Sequence, residues 1–86
     1  MTLVEEIRTR LARLEPLQLD IEDDSARHAG HAGNQGGAHI NLTLVSSHFS
    51  QKSPIMRHRI IYQALNDLMP LRIHALSLHA LAPDER

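Results

Sequence analysis

The 86-residue chain contains no cysteine and no tryptophan, and only one phenylalanine and one tyrosine. Without thiols it forms no disulfide. An iron or zinc site of the usual thiolate kind must therefore be shared with a partner or built from nitrogen and oxygen alone. The missing thiols fit a reducing compartment. So few aromatics leave almost no platform for stacking single-stranded bases. No apolar run approaches the ~20 residues needed to span a bilayer. The N-terminus, carrying Glu5, Glu6 and Arg8, reads as an amphipathic helix and not as a signal peptide. These features predict a soluble, cytoplasmic chain with no membrane partner. A net charge of -1 supplies no global field for drawing in nucleic acid. There is no nucleophile elbow, no phosphate loop between a strand and a helix, and no zinc-protease helix. Asp23 and Asp24 are adjacent, so in a strand they face opposite sides and form no acid–base pair. Nothing here predicts an enzyme.

What the chain has in excess is histidine, with seven in all. His28, His31 and His39 bracket a glycine-rich stretch, and His74 and His79 lie on a short apolar segment near the C-terminus. Imidazole is the commonest metal ligand and titrates nearest neutral pH. Charge is unevenly spread. Five acidic residues fall between Glu15 and Asp24, while Lys52, Arg57 and Arg59 cluster in the second half.

Periodicity divides the chain into six elements. Leu3, Val4, Ile7, Leu11 and Leu14 recur at three and four, which predicts a helix over 2–15 that Thr2 and Glu5 cap and Pro16 ends. Leu17, Leu19 and Ile21 alternate with polar residues, as do Ile40, Leu42 and Leu44, giving two strands. The loop between them, 24–37, is long for a hairpin, and loops of that kind are usually functional or mobile. Residues 46–51 suit a short helical turn. Ser53 and Pro54 open a second long helix, whose apolar stripe reads as Ile55, His58, Tyr62, Leu65 and Met69, widened by Ile61 and Leu68 and stopped by Pro70. A last strand over 71–79 sets Leu76 and Leu78 on one face and Ile73 and Ala75 on the other, and the tail 82–86 reads as frayed. The expected architecture is one α+β domain spanning 1–86, ordered helix-strand-strand-helix-helix-strand, with helices covering a three-stranded sheet.

Three separated segments of this chain resemble the BolA-like family. The run from Val45 through Leu65, containing Phe49, Lys52, Ser53, Arg57, His58, Arg59 and Tyr62, resembles its strand-to-helix signature. Asp23 through Gly33 resembles the loop of the bacterial BolA type, and Ile73 through Leu78 resembles the closing strand. Gln51 departs from the pattern by standing where many members have glycine. The resemblance covers nearly the whole chain and implies a fold similar to class II KH domains. It also implies two roles. In one, the chain pairs with a monothiol glutaredoxin and shares a [2Fe-2S] cluster, the partner and its glutathione supplying thiolates and this chain supplying His74 and a loop histidine, His31 or else His28. In the other, it acts in transcriptional control through double-stranded DNA.

The residues themselves leave blander readings beside these. His74 suits a rim histidine on the face of Leu76 and Leu78, and the resemblance is what turns it toward ligation. His28 and His31 without a third ligand are a weak zinc signal. His39 opens a strand on the polar face and suits a structural or exposed role, while His58 falls on the apolar stripe. Lys52, Arg57 and Arg59, within the helix-turn-helix-like segment 46–69, are the candidate DNA contacts. Arg57 and Arg59 lie about 200° apart around a helix, so both cannot enter one groove. Gly33-Asn-Gln-Gly36 matches the RNA-clamping GxxG string but falls between two strands, outside the helix-to-helix position that clamp requires.

Overall fold

The computed structural model describes residues 2–24, 38–69 and 71–86. Its first helix, α1 (Leu3–Leu11), starts at the expected capping box. Thr2 Oγ1 accepts the Glu5 N–H at 3.1 Å, and Glu5 Oε1 accepts the Thr2 N–H at 3.2 Å. The helix ends by tightening into a 3-10 turn, Ala12–Leu14. Glu15 then takes a left-handed φ of 51° immediately before Pro16. Ile7, Leu11 and Leu14 turn inward.

The sheet contains β1 (Gln18–Asp23), β2 (Ala38–Val45) and β3 (Ile73–Leu81) in that spatial order. β1 pairs antiparallel with β2, and β2 pairs parallel with β3. A parallel return needs a crossover. The chain makes it through a 3-10 turn at Ser47–Phe49, the helix α2 (Pro54–Leu65) and a second 3-10 turn at Asn66–Leu68. The strands alternate as the sequence predicts. Ile40, Leu42 and Leu44 are buried, whereas His39, Asn41 and Thr43 on the opposite face are half-buried. Leu19 and Ile21 of β1 pack on the same core, while Gln18, Asp20 and Glu22 are exposed. Apolar residues of α1 and α2 complete that core around Phe49. The result is an α+β fold, a three-stranded mixed sheet with helices packed on its core face.

Polar contacts fix the layers. Ser46 is buried, and its hydroxyl donates to the Leu14 carbonyl and accepts the His48 N–H at 3.0 Å. Its own N–H reaches the Leu81 carbonyl at 3.0 Å, so the end of β2 is tied to both neighbours. Glu6 pairs with Arg72 and Arg10 with Asp67, joining α1 to the segment between α2 and β3.

Two sequence expectations are corrected here. The buried residues of α2 are Arg57, Ile61, Ala64 and Leu65. Ile55 is 71% exposed, Tyr62 39% exposed, and His58 is exposed as well. Ile61, Leu65 and Leu68 of the predicted stripe are buried as expected, and the core face is turned by less than one residue, about 70°, toward Arg57 and Ala64. The cause is Arg57, which hydropathy counts as an outward residue but whose long stem covers apolar surface while its head finds partners. The second correction concerns the tail. Residues Pro83–Glu85 form a 3-10 turn, and Ala82 is buried. The tail is held by Glu85, whose carboxylate accepts the Ala82 N–H at 2.9 Å and pairs with Arg57.

Candidate functional site

β3 carries a distinct polar grouping at each end. At its start the parallel register with β2 slips. Ala38 pairs with Ile73, but His39 pairs with Ala75, leaving His74 as an extra residue on β3. A bulge of this kind is uncommon in a parallel pair, and it re-aims a side chain. It also resets parity. Ile73 and, past the bulge, Leu76 and Leu78 all pack on the core, correcting the expectation that Ile73 faces away from the two leucines. His74 is accordingly exposed and does not share the leucines' face.

The bulge sets His74 beside His39. The two ring centroids are 5.6 Å apart, with the planes tilted by 30°. His39 is half-buried at the first full register step of β2, and its carbonyl accepts the Asp24 N–H at 2.7 Å. The Ala38 N–H donates to the Arg72 carbonyl at 2.9 Å, which anchors the strand start. Both imidazoles thus stand on paired strands, a more rigid mount than a loop. His39 is the site residue that sequence reasoning missed. Its polar-face position was legible, but its neighbour could be known only from the parallel pairing. His28, His31 and the Gly33–Gly36 string lie outside the described residues.

The remaining histidines disperse. His48 Nε2 lies 3.0 Å from Glu15 Oε1, His79 is exposed on β3 with Thr43 as its register partner, and His58 is exposed on α2. Among the described residues no group of three or more His, Cys, Asp or Glu side chains could hold a metal ion.

The opposite end of β3 is closed. Arg57 is buried, and its Nε donates to the Lys52 carbonyl at 2.8 Å. Nη1 donates to the Ala80 carbonyl at 3.1 Å and to Glu85 Oε1, and Nη2 donates to Glu85 Oε2 at 2.9 Å. This is a two-pronged guanidinium–carboxylate pair. The Arg57 hydrogen bonds, helped by the Ala82 N–H, pull the Glu85 carboxyl from its ordinary value of 4.5 down to about 2. The Arg57 guanidinium is raised in turn by its bond to Glu85. Arg57, named from the sequence as a candidate DNA contact, is thus buried with four of its five N–H donors engaged inside the fold. Lys52 and Arg59 are exposed, on the turn before α2 and on its outer face.

Comparison with known proteins agrees with this architecture. Residues 11–85 match the family described as BolA-like protein. The chain belongs to the BolA-like family. It is 44% identical over 86 residues to SufE-like protein 1, chloroplastic/mitochondrial, of Arabidopsis thaliana, a match covering 92% of this chain and 23% of that protein. It is 36% identical over 80 residues to the DNA-binding transcriptional regulator BolA of Escherichia coli K12, covering 92% of this chain and 74% of that protein. The solved structure of BolA1 from Arabidopsis thaliana superposes with a TM-score of 0.86 at 36% identity, covering all of this chain and 97% of that one. The chain spans between 23% and 56% of the length of the first curated relatives it matches. Other relatives are named BolA-like protein 1 and DNA-binding transcriptional regulator BolA, names of no enzyme. Among the described residues no helix is long and apolar enough to cross a membrane.

Proposed function

We propose that this BolA-like chain is a non-enzymatic adaptor that binds a monothiol glutaredoxin and shares a [2Fe-2S] cluster with it, in iron–sulfur and redox homeostasis. The observation that supports this reading best is the bulge that lifts His74 out of the strand register, exposed and beside His39. His74 would supply one imidazole nitrogen, and His31, with His28 as the alternative, would supply the second. Thiolates, absent from this chain, would come from the glutaredoxin and its glutathione. When bound, the cluster supplies one-electron redox chemistry, and nitrogen ligation in place of sulfur raises its potential. This chain's own part is to hold the His74 ring at a fixed strand position and to leave one side of it open for a partner. Anaerobic mixing with a cluster-loaded monothiol glutaredoxin tests the reading. A new absorption spectrum at one-to-one stoichiometry is expected, and it should change in His74→Ala. No complex, or a spectrum indifferent to that substitution, would defeat it.

A DNA-binding role is the second reading. It is favoured by the exposed Lys52 and Arg59 on a turn followed by a helix, and by a relative named a DNA-binding transcriptional regulator. With Arg57 turned inward only two cations of the original three remain, so phosphate contact would dominate over base reading. Affinity for duplex DNA should fall with salt and fall again in Lys52→Ala/Arg59→Ala. Unchanged affinity in that double variant would exclude this surface.

A further inference from the structure

We propose that the outer edge of β3 is a self-association surface, on which a second copy of this chain adds its own β3 antiparallel and joins two three-stranded sheets into one. The surface does not rest on the glutaredoxin or the DNA reading, because it needs neither a cluster nor Lys52 and Arg59. Among the described residues β3 pairs with β2 on one side and with no strand on the other. The Leu81 carbonyl accepts the Ser46 N–H at 3.0 Å, so it points at β2. Backbone groups alternate along a strand, so those of His79 and Ser77 point the same way, and those of Ala80, Leu78 and Leu76 point outward. The Ala80 carbonyl agrees, since it accepts Arg57 Nη1 at 3.1 Å. Arg57 thus closes the far end of the edge, and Leu76 and Leu78 hold its open centre.

Charge and symmetry select the second copy as the occupant. From Ile73 to Leu81 the strand contains no Lys, Arg, Asp, Glu or Pro, the residues that ordinarily guard an edge. β1, the other edge, exposes Asp20 and Glu22, so a second copy there would meet like charge. A two-fold axis also demands a self-complementary strand. About Ser77, Leu76 mirrors Leu78 and each histidine mirrors an alanine, His74 with Ala80 and His79 with Ala75, so no imidazole faces another. Antiparallel pairing on that axis sets Leu76 of one copy against Leu78 of the other, and these are the residues whose backbone groups point outward. Both leucines are half-buried on the core face, so the second copy would cover apolar surface that the helices leave open. Ser77, exposed on the opposite face, meets its own copy on the axis. So short a strand pair falls well below the ~1,200–2,000 Å² of a standard stable interface, and the dimer is therefore weak and reversible.

Sedimentation velocity of the full chain from micromolar to millimolar concentration tests this, together with NMR contacts between isotope-labelled and unlabelled copies. A monomer–dimer equilibrium is expected, with contacts between Leu76 of one copy and Leu78 of the other. Ser77→Lys and Ser77→Glu each set like charges on the axis, and each should weaken dimerisation roughly fivefold or more. An equimolar mixture of the two variants should restore it, because lysine then faces glutamate. Asp20→Lys on β1 should leave the affinity within about twofold. A monomer at every concentration would overturn the proposal and leave the edge to an extended segment of a different protein. So would a dimer indifferent to both Ser77 variants, a mixture that associates no better than either variant alone, or a dimer abolished by Asp20→Lys. Ser77 is exposed, and far-UV circular dichroism of each variant checks the fold. Opposite substitutions at one position keep the test valid, since a change in net charge cannot explain a loss in both.

Discussion

The two ends of β3 treat polar side chains in opposite ways. At its far end Arg57 is buried, and it donates to two carbonyls and a carboxylate, holding the tail against α2. At its near end His74 is pushed out of register to an exposed position against a second imidazole. A buried cation needs partners to repay its lost hydration, so the Arg57 end is a consequence of stability. The bulge at His74 makes no such contribution that the contacts reveal. Residues that a fold holds in place without using them for packing are where binding is most reasonably sought.

The largest effect that sharpens this contrast comes from the helix that carries Arg57. Ile61→Ala should cost about 2–5 kcal/mol in urea unfolding, because Ile61 is buried against the sheet. Ile55→Ala, on the exposed face, should stay within about 0.5 kcal/mol. Similar losses for both would mean that α2 is not turned with Arg57 inward. Arg57→Ala should lower the unfolding midpoint clearly, and Arg57→Lys should not restore it, since an ammonium cannot reproduce the two-pronged pair. His74→Ala and His39→Ala should leave that midpoint almost unchanged, within about 0.5 kcal/mol. A destabilisation by His74→Ala matching that of Arg57→Ala would erase the distinction between the two ends.

Acid should weaken the Arg57 end, as it should the Glu6–Arg72 and Asp67–Arg10 pairs, whose carboxyls are also lowered by their guanidinium partners. Glu85 titrates at about 2 in the fold against an ordinary 4.5. A carboxyl whose pKa is depressed on folding stabilises the native state above its unfolded value and loses that contribution as pH falls through the folded one. The Glu85 contribution should therefore be complete above about pH 4.5 and decline between there and about pH 2, and Glu85→Gln should flatten that part of the stability profile. An unchanged slope in Glu85→Gln would show that the pair does not operate in solution.

The smallest effect concerns the turn that leads into α2. Gln51 holds a φ of 62°, a left-handed conformation that costs a side chain with a Cβ and costs glycine nothing. Gln51→Gly should raise stability by up to about 1 kcal/mol, the relief of strain being partly offset by the greater freedom of glycine in the unfolded chain. A loss of stability would mean that the Gln51 side chain contributes contacts exceeding the strain.

Much of the fold was legible because local rules and tertiary structure agree. The Thr2–Glu5 capping box, the Ser53–Pro54 helix start and the strict alternation of β2 each follow from a few neighbouring residues. What was not legible depends on partners distant in sequence. The rotation of α2 follows from Arg57 meeting Glu85, 28 residues away, and the same pair orders a tail that composition alone suggests should fray. The parity of β3 was misread because a period-two pattern cannot announce a bulge, and that bulge separates His74 from the leucine face. His74 follows from family resemblance, and its neighbour among the described residues, His39, from strand pairing alone. Gln51 shows the reverse relation, since the glycine expected there points to the left-handed turn that the structure contains.

The most direct test of the account is circular dichroism of wild-type and His74→Ala chains, each mixed anaerobically with an equimolar cluster-loaded monothiol glutaredoxin. The far-ultraviolet region reads the fold and the visible region reads the cluster environment in one sample. The account predicts superimposable far-ultraviolet spectra, a new visible spectrum in the wild-type mixture and its loss or alteration in the His74→Ala mixture. Identical visible spectra for the two mixtures, with both chains folded, would contradict it.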